Sequence, residues 1–381
     1  MSLTYGLLST FPPTACGLAT FTAALAAQLG APTASGDACI IVRAVASAGT
    51  LLPGVAAELV AGSATSCFEA EAALNGADVV IVQHEYGIFG GRDGDEIVAV
   101  LEALTVPVIV VLHTVLVEPT MHQREVLEAV VAAADAVVTM TETARGRLEV
   151  GYDADMSKVS VIPHGAHVAP HVNTDLIEVS GSGRPTILTW GLIGPGKGIE
   201  WGIEALALLR DLSPHPRYLI VGKTHPKVLA VHGEAYRASL QSRVDHLGLS
   251  GDVEFDATYY DVPALQRVIG RATVVLLPYD SPDQITSGVL IEAVAAGKPV
   301  ISTRFPHAVE LLGGGVGVLI GHRDPTAIAA AVRRVLGDAS RRRAMTVAAT
   351  RLAPGLAWPA VAARYRILAN QVVQARASVV V

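Results

Sequence analysis

Short runs rich in Val, Ile and Leu alternate along the chain with longer Ala-rich stretches of helical periodicity. Unbroken apolar runs are typical of parallel strands buried on both faces, and the Ala-rich stretches are typical of the helices that connect them. The fold class is therefore α/β, with doubly wound parallel sheets. The pattern predicts strands at Thr4–Ser9, Cys39–Val42, Val79–Gln83, Val108–Leu112, Ala136–Met140, Val159–Pro163, Thr186–Trp190, Tyr218–Val221, Val253–Phe255, Val274–Pro278, Val300–Thr303 and Gly317–Ile320.

The predicted strands form two series of similar length. Between the series, residues 166–184 contain Pro170 and the sequence Gly-Ser-Gly-Arg-Pro, with the weak periodicity of a linker. We therefore predict one Rossmann-like domain over residues 1–170 and a second over residues 171–357. Residues 358–381 carry an amphipathic helical pattern.

Composition narrows the functional classes. Hydrophobic residues make up 51% of the chain and the net charge is −7, which indicates a large core and argues against nucleic acid as a partner. No apolar run approaches the ~20 residues of a membrane span, and the first residues lack the basic region of a signal peptide. The three scattered cysteines indicate a reducing compartment and no structural zinc. We expect a cytoplasmic protein without a metal or another cofactor.

The strand ends in the second half carry the first candidates, because ligands bind beyond the carboxyl ends of parallel strands. Gly191–Gly198 reads GxxxxGKG and contains Lys197, while Gly222 follows the next strand. This loop is close to a P-loop, but Gly198 stands where Ser or Thr would hold Mg²⁺, and Pro195 removes a backbone donor. A P-loop nucleotide hydrolase stays as an alternative.

A helix is predicted to open at Thr286, Ser287 and Gly288. The unpaired N–H groups and the partial positive charge of a helix N-terminus suit a phosphate. Glu292 lies about one turn further along the same helix face, where a carboxylate is placed to accept hydrogen bonds from two ribose hydroxyls. The pattern predicts a binding site for a nucleotide sugar.

Three strand ends in the first half carry further candidates. Gly17 lies in a turn that either approaches a phosphate or sugar, or needs Gly for backbone reasons. His84, Glu85 and Tyr86 either line an acceptor pocket or form structural hydrogen bonds. His113 follows a buried strand, and its side chain either faces a ligand or forms hydrogen bonds that anchor the next loop.

The second-half motifs resemble the donor site of family 4 retaining glycosyltransferases, which have the GT-B fold of two Rossmann-like domains facing a central cleft. Glu292 and the sequence Gly297-Lys298-Pro299-Val300 match the family signature. Two charged positions differ. Gln284 stands where the family has its first glutamate, and Leu192 stands where it has an arginine.

The resemblance implies an N-terminal acceptor domain, a C-terminal donor domain and a last helix that crosses back to the first domain. Lys197 would neutralise the donor diphosphate, and His113 would face the donor sugar. Gln284 would bond the sugar hydroxyls, and the loop at Gly222 would border the nucleobase. Arg304 or Lys223 is a candidate for the missing second cation.

The resemblance also implies hexose transfer with retention of configuration and without an obligatory metal. Mannose and glucose are favoured by family frequency, and the acceptor would be a carbohydrate or a lipid-linked sugar. Peripheral contact with the inner membrane face stays open. The second alternative is a GT-B protein that binds a nucleotide or a sugar without transfer, and the departures at Gln284 and Leu192 support it.

Overall fold

A computed structural model describes residues 2–31, 36–168 and 183–379. The chain divides into two compact units, of which the first contains Met1–Gly165 and Trp358–Val381 and the second contains Ala166–Ala357. The predicted boundary after residue 170 and most of the predicted linker lie outside the described residues.

The first unit is built on a seven-stranded parallel sheet in the order β3-β2-β1-β4-β5-β6-β7. Its strands are β1 (Thr4–Ser9), β2 (Ala38–Val45), β3 (Ala57–Val60), β4 (Val79–His84), β5 (Val108–Leu112), β6 (Ala136–Thr139) and β7 (Val159–Val161). Its helices are α1 (Gly17–Leu29), α2 (Ala64–Leu74), α3 (Glu96–Ala103), α4 (Met121–Ala133), α5 (Glu142–Gly151) and α14 (Trp358–Val379).

The last helix, α14, completes the core of this unit. Val361 and Tyr365 are fully buried and pack with Phe21 of α1 and with Leu7 and Ile81 of the sheet. These five side chains remove apolar area from water on one face of the sheet, which is the main favourable term in folding.

The second unit has a six-stranded parallel sheet in the order β10-β9-β8-β11-β12-β13. Its strands are β8 (Thr186–Trp190), β9 (Arg217–Val221), β10 (Val253–Asp256), β11 (Val274–Leu277), β12 (Val300–Thr303) and β13 (Gly317–Ile320). Its helices are α6 (Ile199–Ala207), α7 (Pro226–His232), α8 (Ala235–His246), α9 (Val262–Arg271), α10 (Gly288–Ala295), α11 (Pro306–Leu312), α12 (Pro325–Gly337) and α13 (Ala339–Leu356).

The prediction of two doubly wound α/β halves is confirmed, and every predicted strand is present with ends that shift by a few residues at most. The pattern missed β3, a strand of four residues at the sheet edge. Only alternate residues of β3 are buried, so it lacks the continuous apolar run that marks the central strands.

The strand orders reverse direction beside β1 and β4 in the first sheet and beside β8 and β11 in the second. In open parallel sheets, these switch points are where the loops diverge and a ligand can enter beyond the carboxyl ends. Most of the candidate residues follow these strands or their neighbours. Within the described ranges, no helix combines the length and the apolar character needed to span a membrane.

Candidate functional site

The Gly191–Gly198 loop leaves the carboxyl end of β8 and is fixed by its glycines. Gly198 has φ +62°, and a Cβ there would lie 1.9 Å from the carbonyl oxygen of Pro278. The hydroxyl residue that a P-loop needs at this position would collide with the backbone and adopt a strained conformation. The P-loop alternative is therefore wrong for this loop.

Lys197 is the cation that this loop presents. Its Nζ lies 4.2 Å from the ring centroid of Tyr279, and the Tyr279 ring stacks on Phe305 with centroids 5.4 Å apart. This arrangement holds the ammonium over an aromatic face. Lys197 has no carboxylate within ion-pair distance among the described residues, so its charge is available to an anion.

The N-terminus of α10 lies at the same sheet edge. The Ser287 hydroxyl caps the helix by accepting from the Leu290 amide at 3.2 Å, as a serine at this position commonly does. The Ser287 amide itself donates to Nδ1 of His307 at 2.9 Å. The Ser287 amide is therefore already paired, and a ligand contact at Ser287 stays a prediction.

The open amides of this helix belong to Gly288 and Val289, which have no acceptor within the part of the chain that the structure describes. A Cβ added to Gly191 would lie 3.4 Å from Cγ2 of Val289, so the glycine loop passes directly beside the first turn of α10. The structure therefore places Gly191 beside the first turn of α10, and Lys197 belongs to the same loop as Gly191.

Glu292 lies one turn into α10 and is largely buried. The indole N–H of Trp190 donates to its Oε2 at 3.2 Å. Burial raises the pKa of Glu292 above its ordinary range, and the hydrogen bond from Trp190 opposes this shift. The carboxylate is thus fixed in position, with its second oxygen left to accept from a ligand.

Two other predicted donor residues serve local structure. The Gln284 side chain donates to the Thr286 carbonyl oxygen at 2.9 Å, so the amide closes its own loop, while the hydroxyl of Thr286 is buried without a partner in the described structure. Gly222 has φ +134°, and a Cβ there would lie 1.9 Å from the carbonyl oxygen of Gly191. Gly222 therefore lets two strand-end loops touch.

In the first unit, His113 follows β5 and is held from two sides. Its Nε2 lies 2.7 Å from Oε1 of Gln83, and its ring meets the edge of Phe21 with centroids 5.1 Å apart. Burial is the main cause that lowers the pKa of His113 to about 3, and like-charge repulsion by His164 and His84 acts in the same direction. His113 is neutral at physiological pH.

The predicted acceptor residues are buried or make contacts within the protein. His84 has 0% of its surface exposed and burial lowers its pKa to about 4, so it offers no surface to an acceptor in this structure. The Tyr86 hydroxyl donates to the Gln123 carbonyl oxygen at 3.2 Å, and Glu85 accepts from Thr114. Glu85 and Tyr86 thus form structural hydrogen bonds, whereas neither ring nitrogen of His84 has a hydrogen-bond partner among the described residues.

Gly17 is the first residue of α1. Cys16 precedes it as the N-cap, with Sγ accepting from the Ala19 amide at 3.4 Å. A Cβ on Gly17 would meet nothing within 4 Å. The open space leaves a ligand contact at Gly17 as a prediction.

Sequence reasoning missed the contacts that position the site. Trp190, Tyr279, His307 and Gln83 each contact a predicted residue, but the contacting partners lie 20 to 102 residues apart in the chain. The available signal was their position at the carboxyl ends of strands: Gln83 and Trp190 lie in the last residues of β4 and β8, and Tyr279 and His307 follow β11 and β12.

Arg304 was a candidate for the missing second cation. It lines a different space, a cavity of about 380 Å³ beside β13 that Arg334 and Arg341 also line. Within the described residues, no group of three or more His, Cys, Asp or Glu side chains is arranged to hold a metal ion.

Comparison with known proteins agrees with this geometry. Residues 184–338 match the family model described as glycosyl transferases group 1. The chain is 31% identical to the D-inositol 3-phosphate glycosyltransferase of Salinispora tropica over 61% of this chain and 50% of the relative. It is 31% identical to the same enzyme of Kineococcus radiotolerans over 66% of this chain and 60% of the relative.

Among solved structures, HepE of Anabaena in complex with UDP superimposes with a TM-score of 0.74 and 17% identity, over 97% of this chain and 100% of HepE. The chain spans about half the length of the curated relatives it matches. The superposition shows a shared fold, and the match to the family model lies within the second unit, which carries Lys197 and Glu292. The chain therefore has the fold of HepE, and its residues 184–338 are similar to the glycosyl transferases group 1 family.

Proposed function

We propose that this protein transfers a hexose from a nucleoside-diphosphate sugar to an acceptor hydroxyl, with retention of configuration and without an obligatory metal ion. The observation that carries the proposal is that an unpaired lysine and two open helix amides follow two strands that are adjacent in the sheet, β8 and β11. The named relatives are glycosyltransferases, and HepE was crystallised with UDP and with UDP and glucose. UDP-glucose is therefore the first donor to test.

The diphosphate is the group that this edge suits best. Lys197 supplies a positive charge held over Tyr279, and the amides of Gly288 and Val289 supply donors at the positive end of a helix dipole. These groups are fixed before the ligand arrives, so they stabilise the charge that grows on the leaving diphosphate without reorganising.

The nucleoside is held one helical turn further on. Glu292, fixed by Trp190, accepts hydrogen bonds from the ribose hydroxyls. Gly191 and Gly222 bring two loops into close contact, and because neither glycine has a side chain, the nucleotide can lie against their backbone. The base borders the loop at Gly222.

Transfer itself proceeds through an oxocarbenium-like transition state as the bond from the anomeric carbon to the diphosphate oxygen breaks. The departing phosphate oxygen takes the proton of the acceptor hydroxyl, so no protein base is required. Catalysis then consists of orientation and charge stabilisation. Gln284 contacts the sugar as a neutral amide rather than as a carboxylate.

A transfer assay tests the proposal. The purified protein is mixed in turn with UDP-glucose, GDP-mannose and ADP-glucose, with and without a panel of sugar and inositol phosphate acceptors, and the released nucleoside diphosphate is measured. We expect acceptor-dependent release from at least one donor, and product NMR should show the same anomeric configuration as the donor. Binding of a donor without release with any acceptor would instead favour the non-transferring alternative that Gln284 supports.

A further inference from the structure

The carboxyl ends of β4 and β5 hold a buried polar pair that the proposed function does not use. Gln83 is 0% exposed and its Oε1 lies 2.7 Å from Nε2 of His113. A buried side-chain amide of this kind is costly unless its partner is specific. The contact joins two strands that are adjacent in the sheet.

The chemistry of this contact fixes the proton on His113. An amide oxygen can only accept, so Nε2 of His113 carries the hydrogen and donates it to Gln83. In the neutral ring, Nδ1 is then an acceptor. Nδ1 has no hydrogen-bond partner within the described ranges, which leaves its lone pair for a ligand.

Two polar groups in and beside this pair also lack hydrogen-bond partners among the described residues. The Gln83 Nε2 and the hydroxyl of Ser9 are both buried without a hydrogen-bond partner among the described residues. The pairing of Leu8 with Val82 places Ser9 beside Gln83 at the end of the sheet. Unsatisfied polar groups of this kind mark sites that a hydroxyl or a water molecule completes.

The surroundings keep His113 neutral. The groups that act on its charge are His164 and His84, both of which disfavour a positive ring, and Phe21 covers one side. No carboxylate is among the groups that shift its titration. A neutral acceptor nitrogen matches a neutral hydroxyl donor and has no attraction for an anion.

We infer that Gln83 is a positioning residue that locks His113 in the Nε2–H tautomer, so that Nδ1 is left as the acceptor for the sugar hydroxyl already expected at His113. The inference rests on the proposed function for the identity of the ligand, but the tautomer does not depend on it. The hydroxyl belongs either to the transferred sugar or to the acceptor, and separate kinetic arms distinguish the two.

The tautomer is read directly in the resting protein. Long-range ¹H–¹⁵N NMR of histidine-labelled protein, with His113 assigned by comparison with His113→Asn, should show a protonated Nε2 and an unprotonated Nδ1 that persist from pH 8 down to about pH 5. A protonated Nδ1 in the wild-type spectrum would overturn the inference, whether or not the protein transfers sugar.

Kinetics of two variants test the role of Gln83. Gln83→Leu removes the acceptor, and we expect a tautomer mixture in the spectrum and a KM roughly ten-fold higher for the one substrate whose hydroxyl is bound, with a smaller change in kcat. A rise in the donor KM assigns the hydroxyl to the transferred sugar, and a rise in the acceptor KM assigns it to the acceptor. Gln374→Leu, the same change at an exposed position of α14, is the matched control.

A second variant, Gln83→Glu, keeps an acceptor beside His113 but adds a negative charge. A carboxylate beside His113 raises the pKa of the ring, so Nδ1 becomes protonated as the pH falls and can no longer accept from a hydroxyl. Transfer should then acquire an acidic limb that the wild type lacks. Unchanged tautomer and unchanged KM values in Gln83→Leu, together with an unchanged pH profile in Gln83→Glu, would refute a positioning role.

Discussion

The carboxyl edges of the two sheets share a topology and differ in chemistry. The edge of the second unit presents a cation, two open amides and a carboxylate, at Lys197, Gly288, Val289 and Glu292. At the edge of the first unit, burial keeps the two histidines His84 and His113 uncharged. The proposals above therefore give the same doubly wound sheet two uses, an anion site in one unit and a site for an uncharged hydroxyl at His113 in the other.

The difference arises from what surrounds each side chain. Lys197 lies over an aromatic face and remains partly exposed, so its charge keeps contact with water. His84 is fully buried and its ring nitrogens have no hydrogen-bond partner among the described residues, so a charged ring would lose its hydration without gaining a partner. Burial, rather than residue type alone, decides which edge can bind a diphosphate.

The largest expected effect is the loss of the cation at the charged edge. Lys197→Met keeps the side-chain length and the packing on Tyr279, and we expect turnover to fall by roughly 10²-fold, the scale of losing one preorganised charge in the transition state. Steady-state kinetics measure it, and Lys227→Met on α7, an exposed lysine of the same unit, should stay near the wild-type rate. A rate for Lys197→Met close to wild type would remove the distinction between the edges.

A smaller effect concerns the helix that offers the amides. His307→Ala leaves the Ser287 N–H buried without an acceptor, and we expect a loss of roughly 1–3 kcal/mol in the free energy of unfolding together with weaker binding of UDP. In His307→Asn, a side-chain oxygen can replace Nδ1 and should recover part of both. Urea unfolding measures the free energy of unfolding, and calorimetry measures UDP affinity. Equal values of both in His307→Ala and His307→Asn would show that the Ser287 contact does not position the helix.

Glu292 links the charged edge to pH. We expect Glu292→Gln to weaken UDP binding roughly ten-fold, while the exposed Glu254→Gln has little effect.

In the wild type, the raised pKa of Glu292 means that its carboxyl group becomes protonated at a higher pH than usual, so UDP affinity should fall as the pH falls through that pKa. The folded protein binds this proton more readily than the unfolded chain, so the Glu292 contribution to stability rises over the same range. Affinity that is independent of pH would contradict the ribose role.

The neutral edge should respond to acid in the opposite direction. The pKa of His84 is lowered to about 4, so between its ordinary value and pH 4 the unfolded chain binds a proton that the folded chain refuses. The free energy of unfolding should therefore decrease as the pH is lowered through this range, by up to about 1 kcal/mol per pH unit. Urea midpoints at pH 7.5 and pH 5.5 measure this slope. It should flatten in His84→Leu and stay unchanged in His246→Leu, whose histidine is exposed on α8.

Much of the fold follows from local pattern, as the central strands show. Residues 79–82 and the strand Val108–Leu112 are continuous apolar runs that are buried throughout, a pattern that differs clearly from that of a half-exposed element. The short edge strand Ala57–Val60 gave no such signal, since only one of its faces is buried. Edge strands obtain their conformation from the neighbour they pair with, which local pattern does not contain.

The sequence by itself determined the two parallel sheets, the glycine loop with Lys197, and the helix that opens at Ser287 with Glu292 one turn on. These features depend on residues within a few positions of one another, such as the strand-to-helix turn at Gly198. Only the tertiary structure decided that His307 occupies the Ser287 amide and that His84 is sealed in the core. It also decided that Gln83 holds His113. The physical reason is that hydrogen bonding and desolvation depend on neighbours that the fold brings together from distant positions in the chain.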